Sequence, residues 1–381
     1  TPGCAVGVAR DGRVILTRAY GMGDLEYDVP ITPTTIFEAG SVSKQFTAAA
    51  IVLLALEGKL SLEDPVRKHI PELPPYGDSV TIRHMLNHTS GLRDWGTVVG
   101  AAGWPRGTRT YTHAHLLDVM SRQTSLNYRP GAEYLYSNSN YNLAAIIVER
   151  LSGQSLADFT RARLFQPLGM TNTSWRDDYR RIVKNRSTAY SGTPNTGFRQ
   201  EMPFENVYGN SSLLTTVEDL IKWNQNFVNN VVGGPRFVAE MQTQGRLNNG
   251  RTITYALGLV RDTWRGVPVV SHGGATAGYR AFLARYPDQR LDVALLCNSG
   301  GANPEALANR VAEIFLGDKL QPTTTQAASG VRLPMTTLQA RAGLFRDVLT
   351  GGPVRLTVQD SALRVGNQRL DPLSENAFRT R

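Results

Sequence analysis

The stretch AGSVSKQFTA, residues 39–48, decides how the rest of the sequence is interpreted. An apolar run follows at residues 48–56 and predicts a buried helix from Ser41 to Glu57. Ser41 would then lie at the N-terminus of that helix, with Lys44 one turn further along the same face. Of the six lysines in the chain, only Lys44 has a serine three residues earlier. The stretch therefore predicts a serine–lysine pair at the start of a buried helix.

A serine–lysine pair of this kind can carry out nucleophilic catalysis. A serine hydroxyl is a weak nucleophile until a base removes its proton. A desolvated lysine can lose its charge near neutral pH and act as that base, whereas arginine cannot. The helix N-terminus also favours negative charge developing at Ser41. The alternative is that Ser41 only caps the helix and Lys44 is a solvated residue of its first turn, so the pair needs support from other motifs.

A second candidate element is the Y-x-N motif formed by Tyr136 and Asn138. A phenol near Lys44 can have its pKa lowered by the ammonium charge and then relay protons. The amide of Asn138 can hydrogen-bond both the lysine and a substrate carbonyl. Alternatively, these are turn residues before the helix predicted from Tyr141, and residues 208–210 also match Y-x-N.

A third candidate element follows one predicted strand and precedes another, and it contains His272, Gly273, Gly274 and Ala275. The two glycines allow a substrate backbone to approach closely. The N–H of Ala275 can pair with the N–H of Ser41 as an oxyanion hole. His272 can donate to Tyr136 or to a substrate carboxylate. The alternative is an ordinary turn with an incidental histidine.

Length and composition predict a globular protein of two or three domains, since 381 residues exceed one ordinary core. No apolar run reaches the roughly 18 residues that span a bilayer. The net charge is +9, but the arginines are scattered and no basic helix is present, which argues against nucleic-acid binding. A basic surface is instead expected to help solubility or to attract anionic surfaces or substrates. No signal peptide is visible at Thr1.

The order of predicted elements places strands at both ends of a mostly helical region. The predicted strands are Gly3 to Val8, Val14 to Tyr20, Tyr255 to Thr263, Val267 to Ser271, Arg280 to Tyr286 and Leu291 to Cys297. We expect one antiparallel sheet with flanking helices, an α/β (α+β) fold, and a cleft beside the inserted helices. The predicted divisions are a sheet domain at 1–60 and 240–317, a mainly helical insert at 61–239, a linker at 318–333 and a small or partial β domain at 334–381. The two cysteines, Cys4 and Cys297, are predicted to be buried free thiols rather than a disulfide.

The sequence does not favour other catalytic motifs. His84 and His88 are four residues apart, but no carboxylate stands beside them as in H-E-x-x-H, so capping or core roles are favoured over metal binding. His113 and His115 are interpreted in the same way. A G-x-S-x-G elbow and a P-loop are both absent from the sequence.

Together, S-x-x-K, Y-x-N and H-G-G in this order resemble the serine β-lactamases and penicillin-binding proteins. The chain is most similar to the group that contains class C β-lactamases, D-alanyl-D-alanine carboxypeptidases, D-aminopeptidases and family VIII carboxylesterases. Residues 82–92 and 165–173 are also similar to that group, and the resemblance covers about residues 2–317. Residues 209–213 depart from the group, which has a more glycine-rich loop there.

The resemblance implies a serine hydrolase that works through an acyl-enzyme on Ser41, with Lys44 or Tyr136 as the base. It implies no metal and no organic cofactor, and its substrate would be a small molecule or a short peptide. A peptidase or amidase acting on D-amino-acid peptides is favoured over an esterase, a β-lactamase or an inert penicillin-binding-like module. The resemblance to this group also implies a periplasmic or secreted location. It does not predict an oligomeric state.

Overall fold

The computed structural model describes residues 1–322, 331–346, 353–366 and 368–380. The chain divides into two compact units, one formed by residues 1–133 and 137–320, the other by 134–136 and 321–381. Residues 323–330 of the predicted linker lie outside the described residues. The predicted domain boundaries stay a prediction.

The first unit contains a central antiparallel sheet and several smaller sheets. Its strands are β1 Cys4–Arg10, β2 Arg13–Tyr20, β3 Met22–Asp24, β4 Val29–Pro30, β5 Phe37–Glu38, β6 Ser174–Trp175, β7 Tyr190–Thr193, β8 Gly197–Gln200, β9 Leu213–Thr215, β10 Val260–Trp264, β11 Val267–Thr276, β12 Tyr279–Tyr286 and β13 Leu291–Cys297. Its α-helices are α1 Lys44–Leu56, α2 Ile82–Leu86, α3 Trp95–Ala101, α4 His113–Ser121, α5 Asn138–Ser152, α6 Leu156–Thr160, α7 Val217–Asn229, α8 Gly234–Met241 and α9 Pro304–Leu316. The predicted antiparallel sheet with flanking helices is therefore confirmed.

The six-stranded sheet joins strands from distant parts of the sequence in the order β10-β11-β12-β13-β1-β2. Every neighbouring pair in it is antiparallel. Alternation along β1 separates its two faces, with Ala5 and Ala9 in the core that contains α7, and Val6 and Val8 in the core under α9. Both faces of the sheet are thus covered by helices near its centre, which explains why β13 is buried along its whole length, whereas the edge strands β2 and β10 are largely exposed.

Close packing between β1 and α7 depends on Gly7. A Cβ added at this position would lie 2.9 Å from the Cδ1 of Ile221 and 3.2 Å from the Cβ of Val217. The glycine therefore allows α7 to approach the sheet more closely than any other residue would.

The helix predicted from Ser41 to Glu57 has two parts. Residues Gly40–Ser43 form a 3₁₀ turn, and α1 continues from Lys44. Residues Lys44 to Leu54 are all buried, which agrees with the unbroken apolar run in the sequence. The start of α1, with Ser41 just before it, is therefore fixed inside the protein core.

The strand predicted from Tyr255 to Thr263 begins only at Val260. Gly258 interrupts the earlier part because its backbone adopts a φ of +73°. A Cβ on Gly258 would lie 2.8 Å from the backbone nitrogen of Gln45 in α1. The segment before β10 is therefore bent so that it packs against the start of α1, rather than extending the strand.

The prediction of free thiols is wrong, because Cys4 and Cys297 form a disulfide. The two residues are direct partners in the register of β1 and β13, with their Cα atoms 4.0 Å apart. This register depends on how the two ends of the chain pair, which a single sequence does not reveal. The bond links strands that are 293 residues apart in sequence.

Reduction of this disulfide is expected to lower the free energy of unfolding by about 2–5 kcal/mol, because it releases a long closed loop in the unfolded chain. The measurement is the melting temperature with and without a phosphine reductant. A Cys4→Ser/Cys297→Ser double variant should melt at one temperature in both conditions. An unchanged melting temperature of the fully reduced wild type would contradict the expectation.

The second unit contains α10 Met335–Ala340 and an antiparallel meander. Its strands are β14 Gly343–Arg346, β15 Pro353–Gln359, β16 Ala362–Val365, β17 Gln368–Pro372 and β18 Phe378–Thr380. Leu338, Leu363 and Leu370 form its small core. The predicted C-terminal β segment is confirmed. Within the described ranges, none of the helices has the length and apolar character needed to cross a membrane.

Candidate active site

The turn that carries Ser41 lies directly against β11. Gly40 adopts a φ of +52°, and a Cβ there would lie 2.5 Å from the backbone nitrogen of Ala275. A Cβ on Gly274 would lie 2.0 Å from the carbonyl oxygen of Ala39. Only glycine fits at both positions, so these residues bring the Ser41 turn and the H-G-G strand together. The joint oxyanion role of the Ser41 and Ala275 N–H groups stays a prediction.

Beside this turn, β11 extends past its neighbour β10. Strand β10 pairs with β11 from Val267 to Ser271, whereas β11 continues to Thr276. A strand that extends past its neighbour can bind an extended substrate by adding it to the sheet.

Lys44 is fully buried and lies within hydrogen-bond distance of three oxygen atoms. Its Nζ is 3.2 Å from the Oγ of Ser41, 2.9 Å from the Oδ1 of Asn138 and 2.8 Å from the carbonyl oxygen of Asn210. The serine–lysine pair predicted from the sequence is therefore present as a direct contact.

The pKa of Lys44 is held well below its usual value of 10.5. The main cause is burial, which penalises the charged form. The carboxylate of Asp94 raises the pKa, and the guanidinium of Arg106 lowers it. A lowered pKa increases the fraction of neutral amine near pH 7, which is the form that can accept a proton from Ser41.

Asn138 begins α5, and its backbone is fixed by a carboxylate. Its N–H donates to the Oδ2 of Asp94 at 2.7 Å. The N–H of the preceding residue, Ser137, donates to the Nδ1 of His88 at 3.2 Å. These two hydrogen bonds fix the backbone at the start of α5, so that the Asn138 side chain lies beside Lys44.

Asn210 is a functional candidate that the sequence interpretation missed. Its carbonyl oxygen accepts from Lys44, and its side-chain oxygen accepts from the Nδ2 of Asn142 at 2.6 Å. The neighbouring Gly209 accepts from the Oγ1 of Thr47 at 2.7 Å, which ties the same loop to α1. The sequence signal at this position is the second Y-x-N match, at residues 208–210. A motif of side chains does not indicate that the backbone carbonyl would be the group that contacts Lys44.

His272 has a hydrogen-bond partner on each ring nitrogen. Its Nδ1 lies 2.6 Å from the carbonyl oxygen of Gly273, and its Nε2 lies 2.9 Å from the hydroxyl of Tyr255. Burial, and secondarily the charge of Lys44, lowers its pKa to about 4. In the sequence Tyr255 stands only as the first residue of a predicted strand, a position that does not indicate its contact with His272.

Tyr136 immediately precedes Ser137 and Asn138, and its side chain is half-buried. Its predicted catalytic role stays a prediction. Of the histidines set aside, His84 and His115 each complete a capping box, with Thr81 and Thr112 respectively. These capping roles agree with the sequence interpretation.

A buried ion pair supports the segment just before Ser41. Glu38 is fully buried, and its carboxylate accepts from Arg176 at 2.7 and 3.1 Å. The same guanidinium donates to the Oγ of Ser212 at 3.1 Å. Arg176 therefore connects the strand that leads into the Ser41 turn with the loop that carries Asn210.

Comparisons with known proteins agree with this fold. A family profile described as Beta-lactamase matches residues 1–317. The chain therefore belongs to the Beta-lactamase family, and it is a serine hydrolase. It is 29% identical over 385 residues to a D-aminopeptidase of Brucella anthropi, covering 100% of this chain and 71% of that protein.

Two further similar proteins have names that refer to penicillin-binding proteins. Penicillin-binding protein 4* of Bacillus subtilis is 31% identical, over 76% of this chain and 66% of that protein. An octameric penicillin-binding protein homologue from Pyrococcus abyssi aligns in structure with a TM-score of 0.75 and 25% identity, over 100% of this chain and 85% of that chain. The chain thus spans about two thirds of the length of the curated relatives from Brucella and Bacillus.

Proposed function

We propose that this protein is a peptidase or amidase that hydrolyses D-amino-acid-containing peptides through an acyl-enzyme on Ser41. The observation that carries the proposal is the 3.2 Å contact between the Ser41 hydroxyl and a fully buried Lys44. The choice of substrate is supported by the similarity to a protein named D-aminopeptidase over the whole chain.

Acylation begins when the Oγ of Ser41 attacks the carbonyl carbon of the substrate. The hydroxyl proton passes to the neutral amine of Lys44, directly or through the phenol of Tyr136. The backbone N–H groups of Ser41 and Ala275 hold the negative charge on the carbonyl oxygen. The carbon–nitrogen bond then breaks, the proton is delivered to the leaving amine, and the acyl group stays on Ser41.

Deacylation reverses these roles with water in place of the amine. Tyr136 or Lys44 removes a proton from water, and the hydroxide attacks the ester carbonyl. The ester bond to Ser41 breaks, the acid is released, and the proton returns to the Oγ. Asn138 keeps Lys44 in position through its 2.9 Å hydrogen bond and can also bind the substrate amide.

Benzylpenicillin is expected to form a covalent adduct with the wild type, because it imitates an acyl-D-alanyl-D-alanine end. The measurement is the intact mass after incubation, with Ser41→Ala as control. An adduct on the wild type only supports Ser41 as the nucleophile and a slowly deacylating peptidase. An adduct on both proteins contradicts this assignment.

The supernatant distinguishes the remaining activities. Hydrolysed penicillin without an adduct points to a β-lactamase. Intact penicillin without an adduct points to an esterase or an aminopeptidase pocket. Rapid release of p-nitrophenol from an acyl ester would then indicate the esterase, and rapid release of p-nitroaniline from a D-alanyl anilide would indicate the aminopeptidase. No turnover of any of these substrates, together with no adduct, would overturn the proposed function.

We also infer that the protein works in an oxidising compartment, such as the bacterial periplasm or the outside of the cell. The Cys4–Cys297 disulfide supports this location, because cytosolic thiols are kept reduced. Thiol labelling of protein from freshly quenched cells tests it. Two free thiols in the native cellular pool would contradict this location.

A further inference from the structure

A row of side chains crosses the six-stranded sheet at the level of Val270. Val270 on β11 is the register partner of Arg261 on β10 and of Arg285 on β12. Arg285 is in turn the register partner of Asp292 on β13. Residues directly opposite each other in antiparallel strands project from the same face of a sheet. The two arginines therefore lie on one face, on either side of a single aliphatic side chain.

Both guanidinium groups meet at one glutamine just after α8. The Nη1 of Arg261 donates to the carbonyl oxygen of Gln242 at 3.0 Å, and the Nη2 of Arg285 donates to its Oε1 at 2.7 Å. Burial lowers the pKa of Arg285 to about 10, Asp292 opposes this shift, and the nearby charge of Arg261 adds to it. Two cations that meet at a neutral amide form a site that a bound anion would stabilise.

The carboxyl group of Asp292 compensates the charge of Arg285 only in part. Its Oδ2 accepts from the Nε2 of Gln225, and its Oδ1 has no hydrogen-bond partner. Burial raises the pKa of Asp292 to about 7, and the charge of Arg285 acts against that shift. Near neutral pH a share of the Asp292 carboxyl groups is therefore protonated, whereas Arg285, which is only 6% exposed, keeps its charge.

The two arginines line a surface cavity of about 630 Å³. Its lining comes from β10, β11 and β12 and from the segments that follow α8 and β12. A guanidinium group carries several N–H donors, and Arg261 and Arg285 each use one of them to bind Gln242. Further N–H groups on both side chains can therefore donate to a ligand in the cavity.

Two carboxylates also line this cavity, Asp262 and Asp288. Asp262 follows Arg261 on β10, so it projects from the other face of the strand, and its Oδ1 accepts from a backbone N–H at 2.7 Å. Asp288 is exposed in the turn after β12. The charges that act on Arg285 are those of Asp292 and Arg261, not of these two residues. An anion is therefore expected on the face of the sheet that carries the guanidinium groups.

We propose that this cavity binds a phosphate-type oxyanion between Arg261 and Arg285. One guanidinium group is enough to engage both oxygens of a carboxylate. A phosphoryl group offers three oxygens and up to two negative charges, so it can accept from two guanidinium groups at once. Free phosphate and the phosphate esters of larger molecules share this chemistry. The site goes beyond the proposed hydrolytic function and does not depend on it.

Titration calorimetry of the full chain with inorganic phosphate tests the site. The ionic strength is held constant with sodium chloride, because salt screens exposed charges. We expect saturable binding to the wild type, and Arg261→Gln should raise the Kd at least about tenfold, the size of one lost charge-assisted hydrogen bond. A wild type without saturable binding, or one that binds acetate as tightly as phosphate, would overturn the proposal.

The matched control is Arg199→Gln, which removes the same charge from an exposed arginine on β8. This variant should bind phosphate as tightly as the wild type. An equal loss of affinity in both variants would show that net charge attracts phosphate and that the cavity does not. A folded Arg261→Gln variant with wild-type affinity would also contradict the proposal.

Two further measurements define the ligand and separate this site from catalysis. Tighter binding of sn-glycerol 3-phosphate than of inorganic phosphate would support the site as one for a phosphate ester, and equal or weaker binding would support it as one for the free ion. Arg261→Gln should keep the wild-type kcat/KM on a D-alanyl p-nitroanilide while it loses phosphate. A wild type that binds phosphate but hydrolyses none of the proposed substrates would support the site and overturn the proposed function alone.

Discussion

Replacing Ser41 with alanine is expected to lower kcat/KM by about 10⁴- to 10⁶-fold, because the variant has no group to form the acyl-enzyme. The fold should survive, since Ser41 is only partly buried and alanine is compatible with the turn before α1. The measurement is steady-state hydrolysis of a D-alanyl p-nitroanilide. A variant that keeps more than about a hundredth of the wild-type rate would show that the nucleophile is another residue.

A matched control for this substitution is Ser155→Ala. Ser155 also stands at a helix N-terminus, where it caps α6 by accepting from the N–H of Asp158. Its loss should lower the free energy of unfolding by about 1 kcal/mol and leave the hydrolysis rate unchanged. The comparison separates the effect of losing a helix-terminal hydroxyl from the loss of the nucleophile.

Replacing Lys44 with methionine or arginine is expected to lower kcat by about 10²- to 10⁴-fold, the usual contribution of a general base. Arginine keeps the positive charge but cannot give up its proton, so it tests proton transfer and not charge alone. Lys68→Met, which removes an exposed lysine paired with Asp64 at 2.9 Å, is the control and should keep full activity. An active Lys44→Arg variant would exclude Lys44 as the base.

The lowered pKa of Lys44 also predicts how stability changes with pH. Between its folded pKa and the unfolded value of 10.5, the unfolded chain binds more protons than the folded chain. The contribution of Lys44 to the free energy of unfolding therefore rises with pH through this window. Denaturation of wild type and Lys44→Met from pH 6 to pH 10 should show the wild type gaining stability relative to the variant. A pH-independent difference would contradict the lowered pKa.

Much of the site was predictable because its polar residues lie in short motifs next to strong structural signals. Ser41 and Lys44 precede an apolar run, and the glycines at 273–274 follow a predicted strand, which in the structure extends through them. The structure confirms that Lys44 contacts Ser41 and Asn138. Asn210 was missed because it contributes a backbone carbonyl, which any residue possesses. Tyr255 was missed because its contact with His272 depends on a bend at Gly258, which the hydrophobic periodicity of the sequence does not reveal.

The sequence predicts that strands from both ends of the chain form one sheet. It does not predict which of these strands are neighbours in that sheet. Alternating and continuous apolar runs identify strands without stating which strands are neighbours. The disulfide is the clearest example, because Cys4 and Cys297 lie in strands that were correctly predicted. Their bond follows from a register of β1 and β13 that only the assembled sheet specifies.

The placement of β1 beside β13 has a consequence for the order of events during synthesis. After the ribosome has made Arg10, it must add a further 281 residues before Leu291 is available to pair with it. At about 5–20 residues per second, this interval lasts roughly 15–60 s. Throughout it, one edge of β1 presents unpaired N–H and C=O groups, which invite association with other chains. The sheet that contributes β11 to the candidate active site can therefore close only late, and a nascent chain interrupted before Leu291 cannot complete it.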